Sequence, residues 1–189
     1  MTQTCIKLSS DLFEQLQQIA KLHSIEMGGF IKQDGRFFLD KTAKSGKTHF
    51  LPSHKHRFKK GVIHFHTHPD KTFQTPPSDH DFIQMCFDYE IRDDSLPYHV
   101  VVCPHSTFVM AVPPLIRKQL DSGNETTRSE GRKKVIEIAK KMKKFHVCYG
   151  KESNKKCVQR FIKKMDVEFG LKIAWICSKS RKYVLCPII

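Results

Sequence analysis

Two imidazoles and a carboxylate stand out in this chain: His66 and His68 in His66-Thr67-His68-Pro69, and Asp81 in Ser78-Asp79-His80-Asp81. Side chains of a strand alternate between its two faces, so His66 and His68 point the same way if 60–68 is extended. Gly61-Val62-Ile63-His64-Phe65 reads as strand, and Pro69, lacking an amide hydrogen, ends the pairing. Asp81 follows a loop and falls in the first turn of the next helix. Two His and one carboxylate with an open fourth position is the composition of a catalytic zinc site, and zinc lowers the pKa of a bound water to about 7.

Such a site needs a proton acceptor that is not a ligand. Glu26, in Ser24-Ile25-Glu26-Met27-Gly28-Gly29-Phe30, is the best candidate, at the start of a strand running to Gln33. Gly28 and Gly29 leave room for neighbouring backbone. Glu26 would take a proton from the attacking water and pass it to a leaving amine. Ser78 could donate its hydroxyl to the developing oxyanion. Ser78-x-x-Asp81 after two prolines is also the pattern of a helix N-cap with an acid in the first turn, and both roles can coexist. His64 shares the face of His66 and His68, so a shifted His64/His66 pair is conceivable. Packing behind the site is its expected place. His80 reads as an exposed helix residue or a neighbour of the site, while His23, His54, His56, His99, His105 and His146 show no ligand spacing.

Taken together, Glu26, His66-Thr67-His68-Pro69 and Ser78-x-x-Asp81 resemble the JAMM (MPN+) zinc metalloprotease signature. The resemblance covers roughly residues 1–115 and implies an active enzyme. It makes Glu26 the general acid/base, His66, His68 and Asp81 the ligands of one Zn2+ per chain, and Ser78 the support of the oxyanion. It also favours His66/His68 over the shifted pair, because Pro69 belongs directly after the second ligand. Family members cleave isopeptide or peptide bonds at the C-terminus of ubiquitin or ubiquitin-like proteins, and some cut other small substrates. The nine residues between His68 and Ser78 make a loop slightly longer than the family's usual one. The compact 26–66 segment resembles the reduced prokaryotic or viral versions. The implied fold is an α+β, cytidine-deaminase-like mixed sheet flanked by helices.

Length and composition bound the remainder. The 189 residues suffice for one domain plus an extension, and 39% hydrophobic against 28% charged residues suits a folded, soluble chain. No apolar run approaches the ~20 residues that span a bilayer, and no apolar leader opens the chain, so an intracellular location (cytoplasm, nucleus or a virion) rather than secretion is expected. The seven cysteines are scattered without a C-x-x-C, which suits a reducing compartment. Charge is concentrated late: residues 116–189 hold 20 Lys/Arg against 7 Asp/Glu, a net of +13.

The elements that must position the site follow from periodicity. Ser9 or Ser10 caps a helix with Leu12, Leu16, Ile19, Ala20 and Leu22 on its apolar side. Asp34-Gly35 is a hairpin turn between 26–33 and 36–40, and 44–47 is a loop before a strand at 48–51. Residues 78–89 form a helix, and 98–103 and 107–112 are strands. The polar stretch 121–131 divides a metalloprotease domain (1–120) from a basic extension (132–189). In that extension Val135, Ile136, Ile138, Ala139, Met142 and Phe145 mark one helix and Cys157, Val158, Phe161, Ile162 and Met165 a second, stopped by Gly170. Segments 171–177 and 183–189 read as a hairpin, with Trp175 in the core.

The expected function is a zinc-dependent, deubiquitinase-like isopeptidase or peptidase. The alternatives are a structural or packaging protein whose basic tail binds nucleic acid or another anionic partner without sequence specificity, and an amidohydrolase of small molecules.

Overall fold

The computed structural model describes residues 6–46, 50–53, 59–69, 75–92, 96–149, 155–177 and 183–185. His54, His56, most of the loop after Pro69 and the turn expected at 178–181 lie outside them.

In chain order the described elements are β1 (Ile6–Leu8), α1 (Ser10–Leu22), β2 (Gly28–Lys32), β3 (Phe37–Leu39), β4 (Lys44–Ser45), β5 (Phe50–Leu51), β6 (Val62–Thr67), α2 (Asp79–Arg92), β7 (Tyr98–Cys103), β8 (Ser106–Ala111), α3 (Pro114–Leu120), α4 (Glu125–Tyr149), α5 (Lys155–Phe169), β9 (Ile173–Cys177) and β10 (Tyr183–Leu185). Six strands make one mixed sheet in the order β3-β2-β6-β7-β8-β9. Only β6 and β7 run parallel in it, and α2 is the crossover between them. The class is α+β, a mixed sheet with helices on both faces.

Alternation along the central strands sends neighbouring residues into two different cores. Ile63, Phe65, Val100, Val102, Val109 and Ala111 meet Leu12, Phe13, Leu16 and Ala20 of α1. Helix α1 starts where expected, with the Ser9 hydroxyl accepting the Leu12 N–H at 3.2 Å, although Leu22 in its last turn is exposed. On the other face, Val101, Cys103, Phe108 and Met110 share a core with Phe82, Met85 and Cys86 of α2, Ile116 and Leu120 of α3, Val135, Ile138, Ala139 and Met142 of α4, and Val158, Phe161 and Met165 of α5.

Three segments differ from the sequence reading. The polar stretch at 121–131 is helical from Glu125. Asn124 caps that helix, its Oδ1 accepting from Thr126 and Thr127 N–H at 2.8 and 3.2 Å, so a polar, exposed first turn imitates a linker. Gly131 lies inside α4, where a Cβ would stand 2.9 Å from Gln119 Cβ and 3.2 Å from Leu120 Cδ2; its bare backbone lets α3 pack close. The segments expected to form a hairpin pair elsewhere: β9 adds to the main sheet against β8, and β10 pairs with β1. Strand partners are set by tertiary contacts, and the open edge of β8 takes the apolar strand that follows α5. Trp175 is partly buried on β9 and stacks on Phe108, centroids 6.2 Å apart. Finally, 44–45 forms a short ladder with 50–51 where a loop was expected.

Candidate metal centre

The β6–α2–β7 unit determines where the site lies. At the carboxyl end of two parallel strands the backbone opens toward the N-terminus of the crossover helix, a recurrent place for ligands in such sheets. The end of β6 is pinned from both sides. Thr67 N–H donates to the Met27 carbonyl at 2.7 Å, Met27 N–H donates to Thr67 Oγ1 at 2.8 Å, and His68 N–H donates to the Val102 carbonyl at 2.8 Å. Ser78 and Asp81 form a reciprocal cap on α2: Asp81 N–H donates to Ser78 Oγ at 3.2 Å and Ser78 N–H to Asp81 Oδ2 at 2.6 Å. The cap fixes the Asp81 carboxylate in the direction of β6.

His66, His68 and Asp81 converge, their donor atoms all within 4.8 Å of one another. His66 Nε2 is 3.1 Å from His68 Nε2 and 3.0 Å from Asp81 Oδ1, and His68 Nε2 is 3.6 Å from Asp81 Oδ2. A tetrahedral ion with bonds of about 2.0–2.1 Å separates its donors by about 3.3 Å, so this group could hold one metal ion. The converging set contains His68 and not His64.

Each donor is held from behind. His68 Nδ1 lies 3.4 Å from the Thr75 carbonyl, His66 Nδ1 lies 2.9 Å from His99 Nε2, and Asp81 is held by its cap. The Phe50 ring lies parallel to the His66 imidazole at 6.5 Å. It reaches that place because Gly28 pairs with His66 and has no side chain; a Cβ there would stand 2.6 Å from the Phe50 ring and 2.7 Å from the Phe65 carbonyl.

Electrostatics tie Glu26 to the same cluster. Its N–H donates to the Gly46 carbonyl at 2.7 Å, and continuing the β2–β6 register beyond Gly28↔His66 brings it opposite His68, on the face of His66. Burial pushes its carboxyl up to about 7, with His66 opposing and Asp81 adding to the rise. For Asp81, burial acts against the charge, but His66, His68 and the Ser78 N–H outweigh it and hold the carboxylate well below its ordinary range. For His66, burial disfavours the cation, yet the Asp81 charge and hydrogen bond prevail and raise its pKa. His99 is pushed far down by burial first and then by His66, His64 and Arg92, so it is neutral. Two imidazoles and a carboxylate gathered at one point, with a buried carboxyl of raised pKa beside them, suit metal-assisted proton transfer.

His64 and His80 fall as their positions suggested. His64 is buried on the same face behind the cluster, and His80 is exposed on α2 beside Asp79. The residues missed by sequence reading are His99 and Phe50. Neither carries a local signal: His99 reaches His66 because parallel pairing sets His64 opposite His99, and Phe50 reaches it through the absent side chain of Gly28. Cys86, Cys103 and Cys157 are buried.

Neither the family models nor the curated proteins searched contain a match to this chain. Among the described residues no helix is long and apolar enough to cross a membrane.

Proposed function

We propose that the chain is a zinc-dependent isopeptidase or peptidase of the JAMM type, acting on the C-terminal tail of ubiquitin or a ubiquitin-like protein. The observation that carries this reading is the meeting of Glu26, a buried carboxyl with its pKa raised to about 7, with the three-donor cluster of His66, His68 and Asp81. Two imidazole nitrogens and a carboxylate suit zinc among the common ions. Zinc held there would act as a Lewis acid and acidify a coordinated water to a pKa of about 7.

The chain's own groups do the rest. Glu26 accepts the proton that the attacking water loses as its oxygen joins the carbonyl carbon. It delivers that proton to the nitrogen as the C–N bond breaks, so the enzyme ends the cycle in its starting protonation state. The Ser78 oxygen accepts from Asp81 N–H, which leaves the Ser78 hydroxyl hydrogen to donate to the carbonyl oxygen as charge builds there. An extended peptide tail beside an edge strand would be held through main-chain hydrogen bonds.

The test is incubation of the zinc-loaded protein with a panel of ubiquitin and ubiquitin-like conjugates, with and without chelator, beside Glu26→Gln. Cleavage by the wild type alone, stopped by chelator and slowed about 10²–10⁴-fold in the variant, is the expected result. Cleavage that survives the chelator contradicts the mechanism. Turnover of small amides but of no conjugate would move the chain to the amidohydrolases.

A second reading rests on a separate observation. Lys133, Lys134, Lys140 and Lys143 of α4 and Lys155, Lys156, Arg160 and Lys163 of α5 are all exposed, on the sides of the helices away from the shared core. That face would attract a polyanion such as nucleic acid without reading its sequence.

A further inference from the structure

His99, buried on β7, touches a metal-donor candidate. The contact joins His66 Nδ1 to His99 Nε2 at 2.9 Å, with His66 and His99 3% and 4% exposed. One proton lies between those nitrogens, and its position decides what His66 can do. If His99 Nε2 carries it, the proton of a neutral His66 sits on Nε2, aimed at Asp81 Oδ1 3.0 Å away, and no lone pair is left for a cation. If His66 Nδ1 carries it, donating to a bare His99 Nε2, the His66 Nε2 lone pair faces the point shared with His68 and Asp81.

We infer that His99 is a positioning residue whose Nε2 accepts from His66 Nδ1–H and so presents the His66 Nε2 lone pair to the metal. This rests on the metal-site part of the proposed function and not on its substrate. An imidazole here fills the role that a carboxylate or backbone carbonyl fills behind most metal-bound histidines, such as the Thr75 carbonyl behind His68. His99 is held in place behind His66 on a central strand, paired with both β6 and β8.

The role makes sense of the choice of residue. An acceptor that bore a charge would add a third anion to Asp81 and Glu26 in a buried site. A hydrocarbon would leave His66 Nδ1–H without an acceptor. A neutral imidazole supplies the lone pair without the charge.

The experiment compares wild type, His99→Phe and His99→Gln. Zinc affinity is measured by competition with a chromogenic chelator, cobalt(II) spectra report the coordination, and melting of the metal-free protein reports the fold. His99→Phe is expected to lose about 10–100-fold in zinc affinity. His99→Gln, whose side-chain oxygen can take the place of Nε2, is expected to remain within a few-fold of wild type. Long-range ¹H–¹⁵N spectra of the zinc-loaded wild type should show the His66 proton on Nδ1 and none on His99 Nε2. This measurement decides the matter even if His99→Phe does not fold. Wild-type affinity in His99→Phe, equal losses in the two variants, or a proton on His99 Nε2 overturns the inference. A wild type that binds zinc as described yet cleaves no conjugate sinks the isopeptidase reading and leaves His99 in place, whereas one that binds no zinc sinks both.

Discussion

The two faces of the sheet are built from alternate residues of the same strands and have opposite characters. On the α1 face, Ile63, Phe65, Val100 and Val102 are buried against Leu12, Leu16 and Ala20. On the α2 face, the residues between them include His64, His66 and His99, opposed by Asp81, Asp88 and Arg92 of α2, all buried. A one-residue step from Ile63 to His64 or from Phe65 to His66 on β6, or from Val100 to His99 on β7, therefore moves from hydrocarbon to an ionisable group. The burial that stabilises one face makes the other expensive, because each polar group there needs a partner. The apolar face and the outer part of the α2 face hold the fold while one end of the α2 face holds the candidate metal site.

That difference can be broken from either side. Leu16 is fully buried on the α1 face, and Leu16→Ala should cost about 2–5 kcal/mol of stability while leaving the zinc affinity of the folded molecules unchanged. Asp81→Asn should do the reverse. It keeps an oxygen to accept from Ser78 N–H but removes the charge that faces His66 and His68, so zinc affinity should fall at least about 100-fold with a smaller loss of stability. Denaturant unfolding beside zinc competition checks both. A Leu16→Ala protein that loses zinc affinity in proportion to its stability would show that the two faces are not separable.

The same contrast explains what the sequence made legible. His66 and His68 share a strand and so a face, Pro69 ends that strand, and Ser78-x-x-Asp81 caps the next helix. All are local rules, and the three donors converge as those rules require. The α1 core and the helices of the basic segment were legible for the same reason, through 3.6-residue periodicity. What could not be read locally is pairing across the sheet. The placement of His99 behind His66 depends on the parallel register of β6 and β7, and that of β9 beside β8 on which edge remains open after the first five strands assemble. The helical 125–131 stretch was hidden by its polarity, since exposed helical turns and linkers share a composition.

At the border between the faces, Gly28→Ala sharpens the comparison. The new methyl would meet the Phe50 ring and the Phe65 carbonyl, and the backbone cannot retreat inside a paired strand. A stability loss of about 1–3 kcal/mol is expected, with weaker zinc binding as Phe50 is displaced from His66. Gly28→Ala together with Phe50→Ala should recover part of the lost affinity. A double variant no better than the single one would place the clash on the Phe65 carbonyl.

A pH titration of the metal-free protein isolates one polar group on the α2 face. The Glu26 carboxyl has a folded pKa of about 7 against 4.5 unperturbed, so the fold favours its protonated form. Its contribution to stability is complete below pH 4.5 and is lost as the pH rises toward about 7, with a steepest slope of about 1.4 kcal/mol per pH unit. Glu26→Gln, which cannot ionise, should flatten that part of the profile, so the difference between the two curves reports Glu26 and its coupling to His66 and Asp81. Identical curves would mean that Glu26 is not held in a low-dielectric site.

The smallest effects belong to the outer surface of α4, and they separate charge from fold. Deleting 132–189 would not test what the lysines do, because Val135, Ile138, Met142, Phe161 and β9 would leave the core with them. Neutralising Lys133, Lys134, Lys140 and Lys143 to Gln removes four charges from exposed positions and touches none of that core. Stability should move by no more than about 0.5 kcal/mol per site, and zinc affinity not at all. If the face binds nucleic acid, each lysine in contact with a phosphate contributes about 0.9 to the slope of log affinity against log salt on duplex DNA. The quadruple variant should then lose up to about 3.6 of that slope. A slope unchanged in the variant would mean that these lysines serve only to keep the outer face of α4 in water.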